Sequence, residues 1–166
     1  MTKLNIALFE PEIPQNTGNI ARLCACCGAS LYLVGKLGFS LSSKYTKRAG
    51  LDYWDSVDLH KVESMDELYK LLPNSTFYYL TTKTDRLYTD IQFKDNDVLV
   101  FGPETRGLPE MYVKQDTAIT IPMKEGQRSL NLSNSVAIAT YEVLRQWNYP
   151  ALQNFGQLHN YRWEDI

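Results

Sequence analysis

DVLVFGPETRGLP, residues 97–109, is the stretch that decides the fold class. Residues 98–102 form a near-continuous apolar run, the pattern of a strand buried on both faces, and such strands occur mainly in parallel sheets. The residues that follow bring glycine, proline and charge together, which indicates a loop. The stretch therefore predicts an α/β protein in which a buried parallel strand ends in a polar loop.

Strand-like and helical patterns alternate on both sides of this stretch. The other predicted strands are LNIALF (4–9), SLYLVG (30–35), FYYLTT (77–82) and AITIPM (118–123). The predicted helices cover about 19–27 with Asn16 or Thr17 as the cap, 65–72 with Ser64 and Glu67 as a capping box, a short segment around 108–114, and 131–147. This alternation predicts a mainly parallel sheet flanked by helices.

Length and composition predict one domain. The chain has 166 residues, of which 44% are hydrophobic, and a domain of that size buries a proper core without disulfides. We expect the domain to cover residues 1–150. Residues 151–166 have no clear period but carry aromatic side chains, so we expect them to form a tail docked on the domain.

Charge and cysteine usage exclude several classes of protein. The net charge is −2, which argues against a general DNA-binding protein but not against a local nucleic-acid site. No apolar run approaches the roughly 20 residues of a membrane span, so no membrane partner is expected.

The three cysteines lie together at 24–27, and no secretory signal is visible, which predicts a reduced, cytoplasmic protein. Core packing is favoured over metal binding for these cysteines, and no metal is expected.

Three polar segments follow predicted strands. They are PQNTGNIAR (14–22), FGPETRGLP (101–109) and IPMKEGQRSLNLSNSVAIATYEVLRQ (121–146). Each alone allows a purely structural interpretation: a capped turn, a turn with an internal Glu104–Arg106 pair, and a helix capped by Ser129 or Asn131. Because ligands bind at the carboxyl ends of parallel strands, we expect the three segments to converge on one ligand site.

Together these segments resemble, in order and spacing, the three motifs of the SPOUT class of RNA 2′-O-methyltransferases, over about residues 3–150. RAGLDYW (48–54) makes the chain most similar to the minimal TrmL type of that class. The resemblance implies an α/β sheet with a C-terminal trefoil knot. It also implies methylation of the 2′-hydroxyl of the wobble nucleotide, cytidine or modified uridine, in leucine tRNAs.

The resemblance further implies partners and site residues. The cofactor is S-adenosylmethionine, leaving as S-adenosylhomocysteine, and the substrate is a tRNA anticodon stem-loop. The resemblance implies a homodimer that forms through the first and last helices, with each RNA site shared between subunits. The implied cofactor residues are Leu80, Thr81, Gly102, Glu104, Gly107, Ile121, Ser129 and Leu130. The implied catalytic residues are Arg22, Glu104, Ser129 and Asn131. The RNA-binding candidates are Asn16, Arg22, Lys44, Arg48, Arg128 and Tyr141, with Lys47, Lys83, Arg86, Lys124 and Arg145 as further cations.

Arg22 is expected to act electrostatically. A guanidinium is almost never neutral near pH 7, so it is a poor general base. We expect it to clamp the adjacent phosphate and stabilise the developing alkoxide, with Glu104 orienting Arg22 or the cofactor amine. Two other functions stay open: methylation of another tRNA or ribosomal RNA position, and RNA binding without catalysis.

Overall fold

A parallel six-stranded sheet runs through the part of the chain that the computed structural model describes, residues 2–41, 56–162 and 164. Its strands are β1 (Asn5–Phe9), β2 (Ser30–Val34), β3 (Leu59–Val62), β4 (Phe77–Leu80), β5 (Val98–Phe101) and β6 (Ala118–Ile119). They lie in the order β3-β2-β1-β5-β4-β6, and every neighbouring pair is parallel. The predicted fold class, α/β with a mainly parallel sheet, is confirmed.

The centre of the sheet is formed by β1 and its two neighbours. Ala7 pairs with Tyr32 of β2 on one side and with Val100 of β5 on the other. Every residue of β1, β2 and β5 is buried, as the continuous apolar runs predicted. The edge strand β3 was missed by the sequence patterns. Only Val62 of its four residues is buried, so it lacks the run that identifies the central strands.

Helices cover both faces of the sheet. Helices α1 (Pro14–Cys27) and α3 (Leu132–Gln146) pack against each other on one face, where Ile20 and Val136 are fully buried. Helix α2 (Met65–Leu71) covers the other face with Met65 and Leu68. The Ser64 hydroxyl caps α2 by accepting from the Glu67 amide, as predicted.

Two predicted helices have different bounds in the structure. Helix α1 begins at Pro14, five residues before the predicted start, and the predicted cap by Asn16 or Thr17 is wrong. Proline suits the first helical position because the backbone amide that it lacks would have no hydrogen-bond partner within the helix there. The helix predicted around 108–114 is only a 3₁₀ turn, Glu110–Tyr112.

Asp58 joins the amino ends of the strands, opposite the polar loops. Its carboxylate accepts from the Ser30 hydroxyl at 2.6 Å and pairs with Lys3 and His60. The hydrogen bond from Ser30, followed by that from Lys3, lowers the pKa of Asp58 to about 2. This cluster ties β2 to the segment that leads into β3.

The described part of the tail leaves its aromatic side chains in solvent. Phe155 is 79% exposed and Tyr161 is 68% exposed. Docking of residues 151–166 on the domain therefore stays a prediction. Among the described residues no helix is long and apolar enough to cross a membrane.

Candidate active site

A cavity of about 650 Å³ lies at the carboxyl ends of β4, β5 and β6. Small-molecule sites commonly measure roughly 300–1,000 Å³, so this cavity can hold a nucleoside-sized ligand. All three polar segments contribute to its lining. Every residue implied to bind the cofactor lines it: Leu80, Thr81, Gly102, Glu104, Gly107, Ile121, Ser129 and Leu130. Asn16, Arg128 and Asn131 line it as well. The expected convergence of the three segments is confirmed, and the individual roles stay predictions.

One wall of the cavity, residues 102–107, is tied to the segment that leads into α1, and we call it the clamped wall. The Glu104 carboxylate accepts from the backbone amide of Glu12 at 2.8 Å, and from the Ile13 amide and the Asn16 side-chain amide at 3.1 Å each. A carboxylate from a distant loop thus satisfies amides at the start of the helix, where negative charge is favoured. Both oxygens of Glu104 are occupied by groups at the start of α1.

The attachment is reciprocal. The Glu12 carboxylate accepts from the backbone amide of Thr105 at 3.0 Å and from its hydroxyl at 2.9 Å. Arg106 pairs with Glu10, so the internal Glu104–Arg106 pair considered above is wrong. The clamped wall is therefore held by side chains from both of the segments it joins.

Gly102 makes the clamped wall possible. A Cβ atom at this position would lie 2.3 Å from the Leu108 backbone nitrogen and 2.4 Å from the Gly107 carbonyl carbon. Atoms this close cannot coexist, so any side chain would push residues 107 and 108 out of place. The loop turns back on the end of β5 because residue 102 has no side chain.

Asn16 and Asn131 join the first and third segments. The Asn131 side-chain amide donates to Asn16 Oδ1 at 3.0 Å, and Asn16 donates in turn to Glu104. Asn131 Oδ1 also caps α3 by accepting from the Asn134 amide. Asn131, rather than Ser129, is thus the cap, and its amide links both helix starts to the clamped wall.

A second segment at the cavity, residues 124–130, which we call the open wall, contributes Arg128, Ser129 and Leu130 to the lining. All seven residues are exposed. Within the described part of the chain, its one backbone hydrogen bond outside helices and strands runs from the Gln127 amide to the Lys124 carbonyl. Ser129 lies at the cavity with its hydroxyl directed to no partner among the described residues. The groups of this wall are therefore available to a ligand.

Some implied residues lie elsewhere. Arg22 is exposed on α1 and does not line the cavity of its own chain. Tyr141 is 47% exposed on α3, close in sequence to the exposed Ile138, and does not line the cavity either. Lys44 and Arg48, with Lys47 and the rest of RAGLDYW, fall outside the described residues.

Glu12 and Glu10 are site residues that sequence reasoning missed. Their partners lie more than 90 residues away, so no local spacing could identify them. Glu12 precedes a proline-started helix and has the appearance of an ordinary solvated carboxylate in the sequence. Pro14 could have marked the start of α1, but no signal in the sequence places that start next to the loop after β5.

The lining suits an amphipathic ligand. Leu80, Ile121 and Leu130 supply apolar surface, and the Thr81 and Ser129 hydroxyls supply polar groups. Arg128 and the start of α3 provide positive potential for a carboxylate. Lys83 at the rim donates to Glu110 at 2.7 Å, and this bond lowers the pKa of Glu110. The described residues contain no group of three or more His, Cys, Asp or Glu placed to hold a metal ion.

Comparison with known proteins identifies the family. Residues 3–141 match the model of the SpoU rRNA Methylase family. The tRNA (cytidine(34)-2′-O)-methyltransferase of Methylovorus glucosotrophus is 47% identical over 148 residues, which are 87% of this chain and 96% of that protein.

Solved structures agree with this match. A structure described as giving structural insights into the 2-OH methylation of C/U34 on tRNA has a TM-score of 0.83 at 42% identity, covering 89% of this chain and 97% of that one. The AdoMet-bound rRNA methyltransferase of Sinorhizobium meliloti has a TM-score of 0.76 at 25% identity, covering 86% of this chain and 56% of that one.

Proposed function

The chain belongs to the SpoU rRNA Methylase family, and on that premise we propose that it methylates the ribose 2′-hydroxyl of nucleotide 34, the wobble nucleotide, in leucine tRNAs. S-adenosylmethionine is the proposed methyl donor, leaving as S-adenosylhomocysteine, and no metal takes part. The observation that carries the proposal is the meeting of three distant motifs at one cavity. The proposed site of action is the cytoplasm, where reduced cysteines are the rule.

The cavity fits the proposed cofactor. Its apolar residues, Leu80, Ile121 and Leu130, can contact an adenine ring from several sides. Gly107 has a φ of +70° and open space where a Cβ would project, so the backbone at this position can approach a ligand closely. The start of α3 and Arg128 can receive the carboxylate of the amino-acid part.

When bound, S-adenosylmethionine supplies an electrophilic methyl group on a positively charged sulfur. The O–CH3 bond would form as the S–CH3 bond breaks, S-adenosylhomocysteine would leave, and the hydroxyl proton would pass to solvent water. The protein's residues then have two tasks, to align the ribose hydroxyl and to stabilise the oxygen as it loses its proton. Alignment alone can lower the barrier by roughly 7–11 kcal/mol. We assign alignment to Ser129 and Asn131 at the cavity, and stabilisation of the alkoxide to Arg22. Glu104 holds the start of α1 in place.

A homodimer reconciles this role of Arg22 with its position. Arg22 lies on the exposed side of α1, and α3 next to it exposes Ile138 and Tyr141 at 38% and 47%. Exposed apolar side chains on α3, which packs beside α1, favour the proposed interface through α1 and α3. In such a dimer Arg22 of one subunit completes the cavity of the other, and RNA contacts by Asn16, Arg22, Arg128 and Tyr141 come from both subunits.

A trefoil knot is also part of the proposal. Gln146 and Trp147, at the end of α3, donate side-chain hydrogen bonds to the carbonyls of Ile91 and Phe93. The segment between β4 and β5 thus contacts the end of a helix that follows β6, while the same helix packs on α1. These contacts bring the C-terminal helix next to an earlier loop, as the proposed knot requires.

Label transfer tests the reaction. Purified protein is incubated with methyl-labelled S-adenosylmethionine and total tRNA, and the labelled nucleotide is located by digestion. We expect label on the 2′-oxygen of nucleotide 34 in leucine tRNAs. Label at another position would contradict the proposed substrate nucleotide. Cofactor binding without label on any RNA would contradict the proposed catalytic activity.

Arg22→Ala tests the mechanism. We expect turnover to fall by about 100-fold or more, the size of losing an oxyanion donor, while the Kd for S-adenosylmethionine stays unchanged. Lys70→Ala is the control, because it removes an exposed helix cation on the other face of the sheet. A near-normal rate for Arg22→Ala would remove this residue from the mechanism.

A further inference from the structure

A second cavity, of about 500 Å³, adjoins the first on the other side of residues 106–108. The two cavities share Lys83, Arg106, Gly107 and Leu108 in their linings. Phe9, Leu108 and Tyr112 provide apolar surface, with the rings of Phe9 and Tyr112 5.4 Å apart. Met111 lies at the edge of this cavity and is 82% exposed, which is unusual for a large apolar side chain.

Two cations border this second cavity, each beside a carboxylate. Lys83 pairs with Glu110, and Arg106 pairs with Glu10. The lysine and arginine side chains are 57% and 60% exposed. Glu110 is 80% exposed as well, and exposed pairs contribute little to stability, so a phosphate can recruit Lys83 at small cost. Glu10 is 29% exposed and keeps Arg106 at the edge of the cavity, where its guanidinium can bind a phosphate as well as Glu10.

Apolar and aromatic surface bordered by exposed cations is the chemistry that binds single-stranded RNA. Bases of an unpaired loop stack on aromatic and apolar side chains, and the phosphates between them contact lysine and arginine. The two cavities share one wall. A nucleotide whose ribose enters the first cavity therefore brings its neighbour in the strand to the second.

We propose that the second cavity binds the base of a nucleotide next to the methylated one, with Met111 and Tyr112 contacting the base and Lys83 and Arg106 contacting the backbone phosphate. This inference rests on the proposed function, because it assigns a further part of the same RNA substrate. It makes the residues of the Glu110–Tyr112 turn determinants of which anticodon loops are accepted.

The test compares two apolar-to-acidic substitutions. Met111→Glu places a carboxylate at the second cavity, and Leu71→Glu is the matched control on α2, where Leu71 is 54% exposed. The probe is a leucine tRNA anticodon stem-loop RNA, with its Kd measured by fluorescence anisotropy and its KM by methyl transfer. We expect Met111→Glu to raise both about tenfold, the size of losing one stacked base. Leu71→Glu leaves them unchanged, and neither variant alters the Kd for S-adenosylmethionine.

Each outcome decides between the two proposals. A wild-type Kd for the stem-loop in Met111→Leu, which keeps the apolar surface, supports the base site. An unchanged stem-loop Kd for Met111→Glu overturns the base site while normal methylation leaves the proposed function intact. An equal loss in Met111→Glu and Leu71→Glu also overturns the base site. Failure of the wild-type protein to bind the stem-loop overturns both.

Discussion

The clamped wall and the open wall both contribute to the lining of one cavity, and they differ in how their residues are held in place. Residues 102–107 are joined to the start of α1 by carboxylates on both sides, Glu104 accepting from residues 12, 13 and 16 and Glu12 accepting from Thr105. Residues 124–130 are exposed throughout. One wall is in place before a ligand arrives, and the other can adjust its groups to it.

The difference divides the work of the site. A wall held by many hydrogen bonds is already ordered in the folded protein, so little conformational entropy of that wall is lost when a ligand binds. An exposed loop with few internal bonds opens at low free energy and can admit a ligand. We therefore expect changes in the clamped wall to affect folding and cofactor affinity together, and changes in the open wall to affect both less.

The largest effect on cofactor binding is expected when glycine is replaced by alanine in the clamped wall and the same replacement is made separately in the open wall. Gly102→Ala forces a Cβ against the Leu108 backbone, and overpacking of this kind costs roughly 1–3 kcal/mol. If that cost falls on the cavity, the Kd for S-adenosylmethionine rises about 10- to 100-fold. The measurements are calorimetric titration and thermal unfolding.

Gly126→Ala is the matched change in the open wall. Gly126 has a φ of +84° with open space around it, so alanine adds only the local strain of that backbone conformation, about 1 kcal/mol. We expect less than about a fivefold change in cofactor Kd. Equal effects of the two alanines would show that the walls do not differ in the way proposed.

A smaller effect is expected from removing one charge. Glu104→Gln places an amide donor where two backbone amides and Asn16 already donate, and hydrogen bonds to a charged group contribute about 1.5–3 kcal/mol. Because Glu104 is only partly buried, we expect about 1 kcal/mol less stability toward urea unfolding. Glu125→Gln, in the open wall, is the control with no expected change.

The smallest effect requires no substitution. Saturating S-adenosylmethionine is expected to slow amide hydrogen exchange in residues 124–130 about threefold, because those exposed amides gain protection only from the ligand. Residues 102–107 should change less, since the amides of Thr105 and Gly107 are already bonded to Glu12 and Pro103. Protection confined to the clamped wall would reverse the comparison.

Sequence patterns located most of the fold. The buried strands were predictable because β1, β2 and β5 are apolar without interruption, and α3 was predictable because its inner face repeats with helical period. The edge strand β3 and the start of α1 were not. In β3 only Val62 is buried, and the α1 start is stabilised by Glu104, a residue about 90 positions away.

The same limit applies to the site. The residue types around the cavity were predictable from three motifs, and the amide bridge between Asn16 and Asn131 was not, since 115 positions separate its two residues. The Arg106–Glu10 and Glu12–Thr105 contacts also join two segments far apart in the sequence, and sequence periodicity carries no information about such contacts.

By itself, then, the sequence determined the parallel sheet, the three polar segments at strand ends and the chemical groups they carry, because burial and capping leave local periodic signals. Tertiary structure alone decided that these segments form one clamped and one open wall and that Arg22 lies outside the cavity of its own chain. Those outcomes depend on hydrogen bonds and packing between residues far apart along the chain, which no local pattern encodes.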